Sequence, residues 1–197
     1  IVLFGSNPAP NGAETWPVGN KQNITWARTG SIANVKLEYS TDGGATYPGL
    51  IIASTPAVAG TYEWTISDAI GIQTRVRVSD VNDPSVFDVS NANFTIRGSL
   101  LLLTPNGAEA WPVGSSHNIT WSKTGSVSTV KLEYSTDGGT TYPNTIVAST
   151  DATTGTYPWT IPDNTTPIAK VKISNTGDEN VYDISDANFK IIGSLTL

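Results

Sequence analysis

The chain has 197 residues, no cysteine and a formal net charge of −6, and only 14% of its residues are charged, compared with about one quarter in an average globular domain. The lack of cysteine excludes disulfides and thiolate chemistry, and the acidic balance argues against nucleic acid, whose phosphates would be repelled. No apolar run approaches the roughly 20 residues that a membrane-spanning helix requires, so we do not expect membrane insertion.

The chain contains a long internal repeat. The sequence Asn-Gly-Ala-Glu at residues 11–14 returns at residues 106–109, an offset of 95 residues. The same offset relates four pairs of large aromatic residues: Trp16 and Trp111, Trp26 and Trp121, Trp64 and Trp159, Phe94 and Phe189. A repeat of this length has the size of a small domain. The sequence therefore predicts two domains, residues 1–98 and residues 99–197.

Each repeat contains a series of short predicted β-strands. Within residues 34–40, the apolar side chains of Val35, Leu37 and Tyr39 alternate with polar ones, a pattern that is typical of a half-buried strand. In the first repeat, strands are predicted at residues 21–27, 34–40, 46–54, 60–66, 74–80, 86–89 and 93–96. Short strands separated by turn residues predict an all-β fold of two tandem Greek-key β-sandwiches, of the immunoglobulin or fibronectin type III kind.

The turn after the second predicted strand carries the pattern Ser-x-Asp-x-Gly-x-Thr-aromatic at residues 40–47, and again at residues 135–142. This pattern is similar to the Asp-box of sialidases. In that motif the aspartate, here Asp42 or Asp137, accepts hydrogen bonds inside the turn, so we expect a structural role. Sialidase propeller blades are much shorter than this repeat, and their chemistry needs clustered arginines, whereas the arginines here are scattered: Arg28, Arg75, Arg77 and Arg97.

Other patterns that could support catalysis are weak. Glu14, Glu38 and Glu63 belong to separate predicted elements, whereas glycoside hydrolysis needs two positioned carboxyl groups in one cleft. His117 is the only histidine, which leaves little for Ser-His-Asp chemistry. We therefore expect a chain that is not an enzyme and has no cofactor.

Two acidic loops are candidates for calcium binding, because calcium prefers several oxygen ligands. The carboxylates that both repeats retain there are Asp83, Asp88, Asp178 and Asp183. The preferred interpretation is a solvated loop with Asx turns, and the calcium site is the alternative.

Some aromatic residues are candidates for contact with sugars. Four tryptophans have inward parity in their predicted strands and are expected in the core: Trp26, Trp64, Trp121 and Trp159. Buried aromatic rings of this kind stabilise a sandwich. Tyr47 and Tyr142 lie at predicted strand ends. Two interpretations remain for them: packing at the rim of the core, and stacking against a glycan.

The two ends of the sequence suggest assembly. Residues 191–197 repeat the join between the two domains, and Pro8 and Pro10 make a poor first strand for the first repeat, because proline cannot donate to a β-ladder. One interpretation is an excerpt of a longer array of repeats. The other is strand exchange, in which Leu195, Thr196 and Leu197 of one chain complete the first repeat of the next and form a head-to-tail polymer.

Several segments together carry a family resemblance: residues 105–114, 118–121, 131–135, 155–161 and 185–191. They look like the immunoglobulin-like repeat of bacterial surface and secreted proteins. That repeat is similar to the N-terminal domain of the fungal Ser/Thr-rich, GPI-anchored cell-wall family linked to β-glucan assembly. The resemblance implies an extracellular, non-enzymatic module and specifies no ligand.

The expected function is therefore structural or adhesive, in an extracellular or cell-surface repeat protein or filament. The expected partners are neighbouring repeats or copies of the same chain, with cell-wall glycan as a further candidate. Two alternatives stay open at this point: a carbohydrate-binding module, and an auxiliary domain of a secreted enzyme.

Overall fold

The computed structural model describes residues 9–195. The chain divides into two compact units, Ile1–Arg97 and Gly98–Leu197, and each is an immunoglobulin-like β-sandwich. The predicted all-β, tandem immunoglobulin-like fold is thus confirmed. Of the strand-exchange segment, Thr196 and Leu197 lie outside the described residues.

The first unit has eight strands among its described residues. Five of them form one sheet in the order β1-β8-β6-β3-β4, and β7 also pairs with β6, while β2 and β5 form the second sheet. The strands are β1 (Thr15–Pro17), β2 (Lys21–Thr25), β3 (Asn34–Ser40), β4 (Gly49–Pro56), β5 (Thr61–Thr65), β6 (Gly71–Asp80), β7 (Phe87–Val89) and β8 (Phe94–Arg97).

The second unit repeats this order and adds a strand. Its first sheet runs β10-β17-β15-β12-β13, with β16 also paired to β15, and its second sheet runs β14-β11-β9. The strands are β9 (Ser99–Thr104), β10 (Ala110–Pro112), β11 (Ser116–Thr124), β12 (Thr129–Ser135), β13 (Asn144–Asp151), β14 (Thr156–Thr160), β15 (Thr166–Asn175), β16 (Asp178–Ile184) and β17 (Phe189–Ile192).

Strand pairing identifies the immunoglobulin-like architecture. Pairs are antiparallel except that β1 runs parallel to β8, with Trp16 opposite Ile96, and β10 runs parallel to β17 in the same way. One hydrophobic cluster in each unit draws residues from both sheets, as expected when two sheets pack face to face. The short strands β1 and β10 were not predicted, because three residues are too few to show an alternating pattern.

Tryptophan side chains fill the gap between the sheets. In the first unit the ring of Trp64 on β5 lies 5.3 Å from the ring of Tyr39 on β3 and 6.2 Å from that of Trp16 on β1. The indole N–H of Trp26 donates to the carbonyl of Ala57 at 3.0 Å, so its one polar group is satisfied in the interior. The second unit repeats both arrangements.

One expectation about exposure needs correction. Glu38 and Ser40 have the outward parity that the alternating pattern indicates, yet both are buried, Glu38 with only 7% of its surface exposed. Lys36 and Arg77 pair with Glu38 on the outer face, while Ser40 is bonded within the hairpin turn. Strand parity alone does not report such contacts. The strand after the hairpin also begins at Gly49 and not at residue 46, because the turn extends through Pro48.

The aromatic core makes a testable prediction. Replacing Phe94, which is 1% exposed, by alanine removes a ring from the contact with Trp16 and should lower the free energy of unfolding of the first unit by about 3–5 kcal/mol. The matched control is Phe87→Ala, since Phe87 is 51% exposed and should cost no more than about 1 kcal/mol. Urea unfolding followed by tryptophan fluorescence measures both; equal losses would contradict the assigned core.

Candidate functional site

The hairpin turn is closed by hydrogen bonds from side chains. The Ser40 hydroxyl donates to Asp42 Oδ1 at 2.5 Å and accepts from the backbone N–H of Gly44 at 2.8 Å. Asp42 also accepts from the backbone N–H of Thr46 at 3.0 Å and from its hydroxyl at 2.6 Å. These donors, first the Ser40 hydroxyl and then Thr46, hold the pKa of the Asp42 carboxyl well below its usual range.

The second unit builds the same turn around Asp137, with Ser135 and Thr141 as the donors. The hydrogen bonds that the two aspartate carboxylates accept all come from residues of their own turns. Asp42 and Asp137 are therefore placed as a turn requires, and neither points into a cleft with other acids.

Beside the turn, a buried carboxylate lies on the outer face of the larger sheet. Glu38 Oε1 lies 2.5 Å from Lys36 Nζ, and its Oε2 lies 2.6 Å from Arg77 Nη2. Burial by itself would raise the pKa of Glu38, but the hydrogen bonds and positive charges of Lys36 and Arg77 outweigh it and leave the pKa lowered. The carboxylate is thus held ionised, which is the opposite of what a general acid requires.

The guanidinium of Arg77 also lies against two aromatic rings. The guanidinium carbon of Arg77 is 4.8 Å from the ring centre of Tyr47 and 6.0 Å from that of Phe87, which is within the range of cation–π attraction. In the second unit, Lys172 Nζ lies 5.9 Å from the ring of Tyr142 and 5.0 Å from that of Tyr182. Each unit therefore presents a cation between two aromatic side chains.

The two tyrosines proposed from sequence as glycan contacts are half-buried members of this arrangement. Burial raises the pKa of Tyr47, and it raises the pKa of Tyr142 to about 12. The hydroxyl of Tyr142 is buried without a hydrogen-bond partner among the described residues. The more accessible rings belong to Phe87 and Tyr182, 51% and 52% exposed. Sequence reasoning missed them, although the outward parity of Phe87 beside Asp88 in β7 was a usable signal.

The four candidate calcium ligands accept hydrogen bonds within the fold. Within residues 9–195 no three His, Cys, Asp or Glu side chains are close enough to hold a metal ion. Asp83 accepts from the hydroxyl of Ser85 at 2.6 Å, in an Asx turn. Asp183 points inward and accepts from the backbone N–H of Leu102 on β9 at 2.7 Å, so its role is to attach a strand.

Other features of the described residues offer little for catalysis. A shallow depression of about 350 Å³ in the second unit is lined by threonine, proline and isoleucine side chains, with Lys190 as its one ionisable group. His117 stacks on Trp111 with the ring centres 4.5 Å apart, and its Nε2 lies 3.0 Å from the Ser115 hydroxyl.

Residues 9–195 contain no helix of the length and apolarity that crossing a membrane demands.

No family model and no curated protein matches the sequence. Among solved structures, the chain is similar to the fibronectin(III)-like modules of Clostridium thermocellum CbhA, with 15% identity over 94% of this chain and 91% of that chain and a TM-score of 0.30. It is also similar to DIP-gamma IG1+IG2, with 10% identity over 93% and 94% and a TM-score of 0.32. For the N-terminal four Ig domains of Dscam1, the identity is 10% over 96% and 46%, with a TM-score of 0.37.

These structures are tandem immunoglobulin or fibronectin domains by name. At such identities and TM-scores the likeness carries no argument about function, and the assignment of the fold rests on the strand order described above.

The hairpin turn makes a prediction about pH. Asp42→Ala should destabilise the first unit at neutral pH, because Thr46 and Ser40 lose their acceptor. The folded-state pKa of Asp42 is lowered, so its contribution is complete above the unfolded pKa of about 3.9 and is lost as the pH falls through the folded-state pKa. The difference in unfolding free energy between the native chain and Asp42→Ala should therefore shrink in acid.

Chemical unfolding at a series of pH values from neutral down to about 2 measures this difference. Asp163→Ala, which removes an exposed loop aspartate, serves as the matched control. A gap between native and Asp42→Ala curves that stays constant in acid would refute the role of the ionised carboxylate.

Proposed function

We propose that this chain is a non-catalytic structural or adhesive module of an extracellular or cell-surface repeat protein or filament. The observation that carries the proposal is that the carboxylates with lowered pKa values are bound by neighbouring side chains of the same unit. The one nearly buried carboxylate of the first unit, Glu38, is paired with two cations, and the hairpin aspartates are directed into their own turns. Groups paired in this way stabilise a domain, and these carboxylates are not held in the protonated form that a general acid needs.

A polymer of these chains by strand exchange is part of the proposal. In the second unit, β9 buries Leu100 and Leu102 against the core, while Leu101 and Leu103 are exposed. In sequence, the offset of 95 residues makes Gly5 and Asn7 the counterparts of Leu100 and Leu102 in the first repeat, and Leu195 and Leu197 their counterparts one repeat later. A Leu-x-Leu segment thus supplies the apolar side chains that the first repeat lacks at its first strand.

The proposed partners are accordingly neighbouring repeats or other copies of this chain. The resemblance to bacterial surface repeats and to the fungal cell-wall family supports an extracellular setting. The absence of cysteine does not argue against it, because units of this size bury enough apolar surface to fold without disulfides. An auxiliary domain of a secreted enzyme is the alternative with no observation in its favour. Glycan binding has one, which is the accessible aromatic ring beside a cation in each unit.

Analytical ultracentrifugation over a range of concentrations, with electron microscopy of the same samples, tests the polymer. We expect the average molar mass of the native protein in solution to rise with concentration, and we expect filaments in the micrographs. The double variant Leu195→Asp with Leu197→Asp should stay monomeric, because charged side chains cannot occupy an apolar slot without a large desolvation cost.

The matched control is Val58→Asp with Ile72→Asp, which adds the same charge at two exposed apolar positions and should leave assembly unchanged. A native chain that stays monomeric at high concentration would eliminate strand exchange. Turnover of any substrate in a hydrolase panel would overturn the non-catalytic assignment.

A further inference from the structure

The outer face of the larger sheet collects positive charge in an acidic chain. On its two central strands the first unit carries Lys36, Arg75 and Arg77, and the second carries Lys131, Lys170 and Lys172. These six are more than half of the chain's 11 basic residues. One carboxylate lies among each set, Glu38 or Glu133, and Asp42 or Asp137 closes the turn at one end. We call each set of three cations, with its two aromatic neighbours, the cation–aromatic face.

The two units have diverged on this face without changing its chemistry. Arg75, Arg77 and Phe87 of the first unit are replaced by Lys170, Lys172 and Tyr182 in the second. Each replacement keeps a cation or an aromatic ring. A recent duplication alone would leave identical residues, whereas these positions have changed and have kept their class.

The outer face of the opposite sheet behaves differently. There, an exposed ion pair joins Lys21 and Glu63 at 2.7 Å in the first unit, and the equivalent residues of the second unit are Ser116 and Pro158. Both charges have disappeared. Elsewhere the pattern is mixed, since Arg28 corresponds to Lys123 and Arg97 corresponds to Ile192. The case for a ligand therefore rests on the geometry of the cation–aromatic face.

The geometry of the face fits one class of ligand. About half of the surface of Phe87 and of Tyr182 is accessible, which offers a platform for the apolar face of a pyranose ring, much as exposed rings stack on other flat ligands. The ring of each lies 5–6 Å from a cation. Arg77 bonds to Glu38 through Nε and Nη2, and a guanidinium has five N–H donors in total, so an incoming anion can be bound at Nη1.

From these observations we infer that the cation–aromatic face of each unit binds an acidic polysaccharide, with a sugar ring stacked on Phe87 or Tyr182 and its carboxylate or sulfate paired with Arg77 or Lys172. A polymer with a regularly repeated anion is a natural ligand for a site that recurs in each repeat. The inference adds a ligand class to the proposed adhesive role, and it does not depend on strand exchange.

Isothermal titration with the full chain tests the inference. The probes are polygalacturonate and alginate as carboxylated polymers, dextran sulfate as a sulfated one, fully methyl-esterified polygalacturonate as the neutral match, and polyglutamate as an acidic chain without sugar rings. We expect saturable binding to at least one acidic polysaccharide, carboxylated or sulfated, and much weaker binding to the neutral ester and to polyglutamate. Raising NaCl from about 0.05 M to about 0.5 M should weaken binding, since exposed charges are screened.

The variant that tests the platform is Phe87→Ala with Tyr182→Ala, which removes both exposed rings and leaves all charges in place. We expect binding about fivefold weaker or more, with thermal unfolding close to that of the native chain. Ile72→Ala with Ile168→Ala, which truncates one exposed isoleucine in each unit, is the matched control and should bind like the native chain.

Three outcomes would overturn the inference: no binding to any acidic polysaccharide, equal binding to polyglutamate or to the neutral ester, and unchanged binding by the double alanine variant. None of them bears on assembly, which is measured separately by ultracentrifugation. Failure of glycan binding is therefore distinguishable from failure of the proposed structural role.

Discussion

Each unit depends on one tryptophan that packs across the gap between its two sheets. Trp64 belongs to the smaller sheet, and its ring contacts Tyr39 and Trp16 of the larger sheet; Trp159 contacts Tyr134, Trp111 and Phe189 in the same way. In antibody domains a buried tryptophan packs against a disulfide that joins the sheets. This chain has no cysteine, so aromatic contact is the main cross-sheet connection at that place.

That use of aromatic residues determines where function can reside. With the inner faces filled by tryptophan, phenylalanine and aliphatic side chains, a ligand cannot enter between the sheets. What remains are the sheet edges, the turns and the outer faces. The hairpin turns are closed internally by Asp42 and Asp137, so the proposed assembly uses a sheet edge and the proposed ligand an outer face.

The sequence predicted what depends on neighbours along the chain and missed what depends on neighbours across the sheet. Alternation of Val35, Leu37 and Tyr39 identified a strand and its inner face, since period two is a local property. The burial of Glu38 could not be read in the same way, because it arises from Arg77 on a different strand. Phe87 and Arg77 are likewise brought together by the pairing of β7 with β6. The cation–aromatic face therefore could not be predicted from the sequence of either strand alone.

Energetics separate the two explanations of that face. An exposed cation–π contact contributes about 0.5–1 kcal/mol, and a domain has a total stability of about 5–15 kcal/mol. Substitutions at most surface positions change stability by no more than about 0.5 kcal/mol, which is why the Lys21–Glu63 pair could be lost in the second unit. Arg77 differs from that exposed pair, because it neutralises the buried carboxylate of Glu38, and losing one partner of a buried ion pair costs about 3–5 kcal/mol. Stability therefore accounts for a cation at position 77. It accounts less well for an aromatic residue at the exposed positions 87 and 182, so the rings are the part of the face that ligand binding explains.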